Sequence, residues 1–184
     1  MKKIIAVALL AVMVSSIMLL VGCSSSAGGV KTGLGHVVSI SKAVDATDEA
    51  DGSIQVDTVM AAVSVDSNGK IVSVTIDTAQ TAVPFDATGK VKADLTAEQR
   101  TKVELGKDYG MIKRSSIGRE WYEQIAELEK WMVGKTIDQV KAMKVKKVDD
   151  NHPSVPDEPD LTSKVTITVQ DYIAAVEEAI KNAK

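Results

Sequence analysis

The sequence has one cysteine, two histidines and only 3% aromatic residues in 184 positions. A single cysteine excludes an internal disulfide framework, a CxxC redox pair and a cysteine-rich zinc site. His36 and His152 stand far apart and read as ordinary solvent-exposed side chains, so no metal ligand is assigned. Neither sign of charge dominates. Lys and Arg number 22 against 25 Asp and Glu, for a formal net charge of −3, which argues against a basic nucleic-acid surface. The chain also lacks GxSxG, HExxH and a P-loop lysine motif, and Gly33 and Gly35 open a GxGxxG pattern that has no third glycine. No catalytic residue is therefore assigned. What is present is 45% hydrophobic and 26% charged residues, enough for one domain or two small ones with a real core.

The first residues read as an address. Lys2 and Lys3 precede an apolar run from Ile4 to Val21, broken only by Ser15 and Ser16, which ends in Leu20-Val21-Gly22-Cys23. A positive start, an apolar stretch and a small residue before the cut describe a secretory signal. Leu20 to Cys23 also resembles the bacterial lipobox, which implies that Cys23 is acylated and becomes the new N-terminus. An uncleaved membrane-spanning helix is the alternative, since the run nearly reaches spanning length; the position of the one cysteine at its end favours the lipoprotein. The expected organisation is a signal peptide over residues 1–22, a flexible Gly- and Ser-rich tether over 23–35, and a domain over 36–184. The domain is expected on the outer face of the cytoplasmic membrane, held by membrane lipid through Cys23.

Along the mature chain, residues 36–44 suggest a strand. Asp45 to Gly52 is acidic but lacks the glycine and glutamate spacing of a calcium loop, so it reads as a solvated turn. Asn68-Gly69 is the preferred two-residue turn of a hairpin. Pairing outward from it sets Val65 against Val72, Val63 against Val74 and Ala61 against Ile76. The opposite face pairs Ser64 with Ser73, Ala62 with Thr75 and Met60 with Asp77. Ile54 and Val56 fall on the wrong parity for this face, which predicts a bulge near Asp57. Thr88-Gly89 suggests a second, weaker turn, and Thr96 with Gln99 has capping-box spacing for a short helix. Trp121, Ile125, Leu128 and Met132 share one face of a helix over 120–133, which Gly134 ends. Thr136 caps a shorter helix over 137–143. Pro153, Pro156 and Pro159 mark an exposed connection. Val165 to Val169 reads as a short strand or extended segment. A last helix begins at Gln170 and runs to about residue 183, with Thr168 and Asp171 as its capping box and Ile173, Val176 and Ile180 as its buried stripe. The fold expected is α+β: an antiparallel sheet built on a hairpin at about 54–78, with helices at about 120–133 and 170–183 packed on it.

One stretch carries chemistry: Asp160-Leu161-Thr162-Ser163-Lys164-Val165-Thr166. It resembles the flavinylation motif of bacterial FMN-binding domains, in which Asp, two variable residues, Ser or Thr, two small residues and a final Ser or Thr follow one another. Such domains occur in the sodium-pumping NADH:quinone oxidoreductase, in the Rnf complex and in electron-transfer lipoproteins of Gram-positive bacteria. Asn68 to Val74 is similar to the family's hairpin phrase, and Ser115 to Gln124 to a phrase of the Gram-positive lipoproteins. The resemblance implies covalent FMN, attached by a dedicated FMN transferase through its phosphate to Thr166, with Asp160 and Ser163 as recognition positions. It also implies a membrane electron donor, and a redox carrier rather than an enzyme that turns over a substrate. Lys164 departs from the family, which most often has glycine there, and Val165 stands where it has alanine. Thr166 lies just before a helix start, where free N–H groups and the dipole favour phosphate. Tyr109, Met111 and Trp121 are possible neighbours of the flavin ring, Trp121 being better read as core. The alternatives are a surface lipoprotein of the same fold without flavin, serving as a binding or structural module, and a precursor whose signal fragment is a pheromone.

Overall fold

The computed structural model describes residues 29–184. The signal segment, Cys23 and the first part of the tether lie outside the described residues. Three antiparallel strands form the main sheet in the order β1 (Lys31–Ser39), β2 (Gly52–Val65), β3 (Ile71–Phe85). After β3 come α1 (Lys102–Leu105), a 3-10 turn (Gly106–Tyr109), α2 (Trp121–Met132) and α3 (Ile137–Lys141). A two-stranded pair, β4 (Val145–Lys146) with β5 (Val155–Pro156), precedes the last helix, α4 (Gln170–Lys181). The architecture is α+β, with α4 lying across β1 and β2 and α2 against β3.

The tether expectation is corrected at residues 31–35, which belong to β1. The strand also begins and ends earlier than residues 36–44; Val44 makes only an isolated bridge to Ser53. The glycines that suggested flexibility have a packing role. A Cβ on Gly33 would lie 1.9 Å from the Ala179 carbonyl oxygen, and one on Gly35 2.1 Å from the Ala175 oxygen. Only glycine lets the strand and helix backbones meet this closely. The same contact turns the helix. Its buried face is Tyr172, Ala175, Val176 and Ala179, while Ile173 and Ile180 of the expected stripe are only partly buried. Small alanines face the glycines, and the larger isoleucines pack at the flanks.

The hairpin register holds for Val63 with Val74, Ala61 with Ile76, Ser64 with Ser73, Ala62 with Thr75 and Met60 with Asp77. It shifts at the last pair: Val65 meets Ile71, and Val72 is exposed. The reason is the turn. Gly69 N–H donates to the Asp66 carbonyl and Asp66 N–H to the Lys70 carbonyl. The Asp66 carboxylate accepts from the N–H groups of Asn68 and Lys70. Gly69 takes φ +73°, so one left-handed glycine after an Asp-led turn adds a residue to the strand. Asp86 to Lys90 repeats the arrangement, with Gly89 at φ +82°. No bulge occurs at Asp57; pairing is regular from Gly52 to Ser64, and Ile54 is simply exposed.

Both sheet edges are occupied. On β1, Thr32 exchanges backbone bonds with Lys184, Asn182 donates to the Leu34 carbonyl, and Glu178 accepts from the His36 N–H. On β3, Ile71 bonds Lys135 and Gly134, and Glu129 Oε1 accepts from the Ile76 N–H at 2.6 Å. Paired edges of this kind do not template further strands. Residues 121–132 form a helix as expected, entered through Glu120 and Glu123 as a capping box, and Trp121, Ile125, Leu128 and Met132 are buried. Thr136 caps α3 with Gln139. Thr96 caps no helix; the capping box downstream is Thr101 with Glu104, which opens α1. Thr168 does not cap α4 either: Val169 stands at the cap, and the Thr168 hydroxyl is buried without a partner. Residues 165–169 pair with no strand, yet Val165, Ile167 and Val169 alternate into the core.

Candidate functional site

Thr166 is held by α2. Gln124, fully buried, accepts through Oε1 from the Thr166 N–H at 2.8 Å and from its hydroxyl at 3.3 Å. The Gln124 amide donates to Ser115 Oγ at 3.2 Å and to the Arg119 carbonyl at 3.3 Å. All polar capacity of this buried amide is thus used, which fixes the Thr166 backbone. Ser115, Gln124 and Thr166, drawn from separate stretches of sequence, meet in one small network. The hydroxyl turns toward Gln124, not toward the start of α4.

Asp160 and Ser163 lie exposed on a turn closed by bonds from Thr162 to the Glu158 carbonyl and from Val165 to the Leu161 carbonyl. No hydrogen bond joins their side chains to Thr166. Lys164 is 3.1 Å from Glu127 Oε2, and Arg119 is 3.9 Å from Glu127 Oε1. Hydrogen bonding to Lys164 lowers the Glu127 pKa against a small opposing effect of burial. Lys164 therefore answers a carboxylate on α2.

Just beyond Thr166, Ile167 and Thr168 line a cavity of about 460 Å³. Trp121, Tyr109, Tyr172 and Met111 supply much of its wall, with Lys102 among them. The volume falls in the range of small-molecule sites. Trp121 is core as well as wall, 2% exposed, its indole N–H donating to the Tyr172 hydroxyl at 3.0 Å. The two rings meet edge to face at 6.0 Å. Burial, above all, pushes the Tyr172 phenol up to about 12 and raises Tyr109 as well.

Lys102, the first residue of α1, is 8% exposed. Its Nζ lies 5.0 Å from the Tyr109 ring centre and 5.2 Å from that of Trp121. Among the described residues no carboxylate lies within ion-pair distance of it. Burial chiefly, and then the like charge of Lys42, lower its pKa to about 8, against the pull of Asp57 and Asp77. At the rim Lys42 pairs with Asp57 at 2.8 Å. Asp57 also accepts from Gln55 and Gln80, and Gln80 accepts from the Tyr109 hydroxyl. Burial raises the Asp57 pKa, but Lys42 and the two amides outweigh it and hold the group low. The hydroxyls of Thr78 and Thr168 are buried against this cavity with no hydrogen-bond partner; that of Thr78 adjoins the Tyr172 hydroxyl.

Sequence reasoning missed Lys102, Thr78 and Gln124. Nothing in Lys102-Val103-Glu104-Leu105 separates a buried lysine from a surface one. The available signal was Thr101 with Glu104, which would have placed α1 and turned Lys102 to its inner side. Among the described residues no group of three or more His, Cys, Asp and Glu is arranged for a metal, and no helix is long and apolar enough to cross a membrane.

Thr166, the expected attachment residue, fits FMN in three respects: it is half-buried on a fixed backbone, Lys164 stands two residues before it, and a cavity with aromatic walls begins at Ile167 and Thr168. Compared with family models, curated proteins and solved structures, the chain matches none.

Proposed function

We propose that this chain is a lipid-anchored extracytoplasmic flavoprotein, with FMN esterified to Thr166, that carries electrons between a membrane dehydrogenase and an outside acceptor. The observation that carries the reading is Thr166 fixed by buried Gln124 beside the aromatic cavity. An external carrier that held FMN reversibly would lose it to the medium, and a phosphoester removes that loss. Once bound, FMN supplies the one- and two-electron chemistry, while the protein supplies position and electrostatics.

The residues divide the work. Esterification forms the Thr166 Oγ1–phosphorus bond as a P–O bond of the flavin donor breaks; the leaving oxygen takes the hydroxyl proton, and the weaker bond to Gln124 goes with it. The stronger bond, from the Thr166 N–H, stays and holds the segment in place. Lys164, two residues before Thr166, is the cation nearest to it in sequence, and Lys164 and Arg119 are both turned to Glu127. Tyr109, Trp121 and Met111 offer flat apolar walls that exclude water from a ring. Asp160 and Ser163, exposed on their turn, are accessible to a transferase. Cys23, acylated, would hold the domain to the membrane.

Intact mass after production with an active FMN transferase tests the reading. The expected result is a yellow protein heavier by one FMN less one water, and a colourless Thr166→Val variant of unmodified mass. Unmodified wild-type protein would overturn it. One observation favours a second reading. The Lys164–Glu127 pair stiffens the turn a transferase must grip, and a chain the transferase refuses would be a lipid-anchored binding module of the same fold, using the cavity alone.

A further inference from the structure

The cavity between β3, α1, α2 and the start of α4 is built for a guest. Lys102 is more than nine-tenths buried, its ammonium facing two aromatic rings and no carboxylate. Thr168 presents a buried hydroxyl with no partner, and the hydroxyl of Thr78, 2% exposed, has only the adjoining Tyr172 hydroxyl. The Tyr172 hydroxyl oxygen accepts from Trp121, so its own proton is available to donate. Lys102 Nζ and the Thr168 hydroxyl thus line one cavity with no hydrogen bond to the protein among the described residues. Burying an ammonium and a hydroxyl unsatisfied costs several kcal/mol, and native structures keep such groups where a ligand, ion or water completes them. Asp57, the acid nearest by lining, is already engaged by Lys42, Gln55 and Gln80, and Asp171 lies exposed at the rim. Tyr109, Trp121, Met111 and Ile167 give the cavity a flat or apolar side, and Ser39, Ser41, Arg114, Asn151 and His152 give it a polar one.

We propose that this cavity is a non-covalent binding site for a small planar aromatic molecule with an anionic or carbonyl-bearing edge. The edge is received by Lys102 Nζ with the Thr78 and Thr168 hydroxyls, and the ring lies against Tyr109 and Trp121. The same chemistry is offered by the pyrimidine edge of a flavin and by a free aryl carboxylate. Binding does not depend on a bond at Thr166, so this inference goes beyond the flavoprotein reading and survives its failure.

The test is calorimetric titration of the full-length chain, solubilised in mild detergent from cells without a flavin transferase, so that it is unmodified. The probes are riboflavin, 2-naphthoate and inorganic phosphate. Saturable one-to-one binding of riboflavin or 2-naphthoate is expected, and which of the two binds identifies the source. Lys102→Met should weaken it at least tenfold while melting no lower than wild type; exposed Lys107→Met should bind as wild type. Thr168→Val, which removes one donor without touching the charge, should weaken binding several-fold and keeps the test open if Lys102→Met fails to fold. Three results would each overturn the proposal: neither ring binding, Lys102→Met and Thr168→Val binding as wild type, or phosphate alone displacing the ring completely, as at a simple anion hole.

Discussion

At the scale of single residues, Lys102 and Gln124 set the character of the site by opposite means. Gln124 is buried and fully satisfied; Lys102 is buried and unsatisfied. For Lys102 the sign of the pH effect follows from linkage. The folded pKa, about 8, lies below the ordinary 10.5. At neutral pH both folded and unfolded chains hold the proton, and the folded chain bears the whole cost of the buried charge, roughly 3 kcal/mol for a displacement of that size. As pH rises through about 8 the folded state releases the proton first, and the cost fades until the unfolded chain also loses its proton. Lys42 adds to the displacement, Asp57 and Asp77 oppose it, and the Tyr109 phenol, itself raised by burial, stays protonated across this interval. Lys102→Met is therefore expected to be more stable than wild type by about 2–3 kcal/mol near neutral pH, and the gap should shrink at mildly alkaline pH. Urea melts of the two proteins at both pH values measure it. Gln124→Leu acts in the other direction. It strands the Thr166 N–H, the Ser115 hydroxyl and the Arg119 carbonyl together, and a loss of about 2–4 kcal/mol is expected in the same melts.

Elements show where sequence patterns inform and where they fail. The hairpin was legible because β2 and β3 alternate around a turn that only a few residues can make. The end of its register was not, because Asp66 rather than Asn68 organises the turn and a bulge follows. Of β1 only residues 36–39 were legible; the first half was not, because its core face is Gly33 and Gly35, which leave no hydrophobic alternation to read. Closeness to α4 is a tertiary fact, and it also rotated the buried stripe of α4 from isoleucines to alanines. The two kinds of glycine are expected to respond differently. Gly35→Ala forces a methyl into the α4 backbone, where the nearest atom would be 2.1 Å away. It should cost about 3 kcal/mol or more, since neither backbone can step aside without opening the core. Gly69→Ala meets no atom within 4 Å but must hold φ +73°. Its cost should be about 1–2 kcal/mol. Denaturant midpoints of the two variants decide the order; equal losses would mean that β1 and α4 approach each other less closely than their backbones require.

In the whole molecule, α2 links the two halves of the site. Its first turn gives Trp121 to the cavity wall, and its next gives Gln124 to Thr166. The α+β architecture and α2 were readable from periodicity, whereas the proposal at Thr166 rests on a short motif. The cavity was not, because its members, Thr78, Lys102, Tyr109, Trp121, Thr168 and Tyr172, are scattered through the chain and become neighbours only when α1 and α4 close on β3. The arrangement makes the sheet a closed platform, both of whose edges are used internally, and leaves the flank bearing Thr166 and the cavity as the chemically equipped surface. The proposed electron carrier stands or falls on FMN at the Thr166 hydroxyl. The most direct measurement is the mass of the peptide containing Thr166, released by digestion from membranes of the native cell. The account predicts that peptide carrying one FMN as a phosphoester; recovery of it solely in unmodified form, from cells whose other flavinylated proteins carry their FMN, would contradict it.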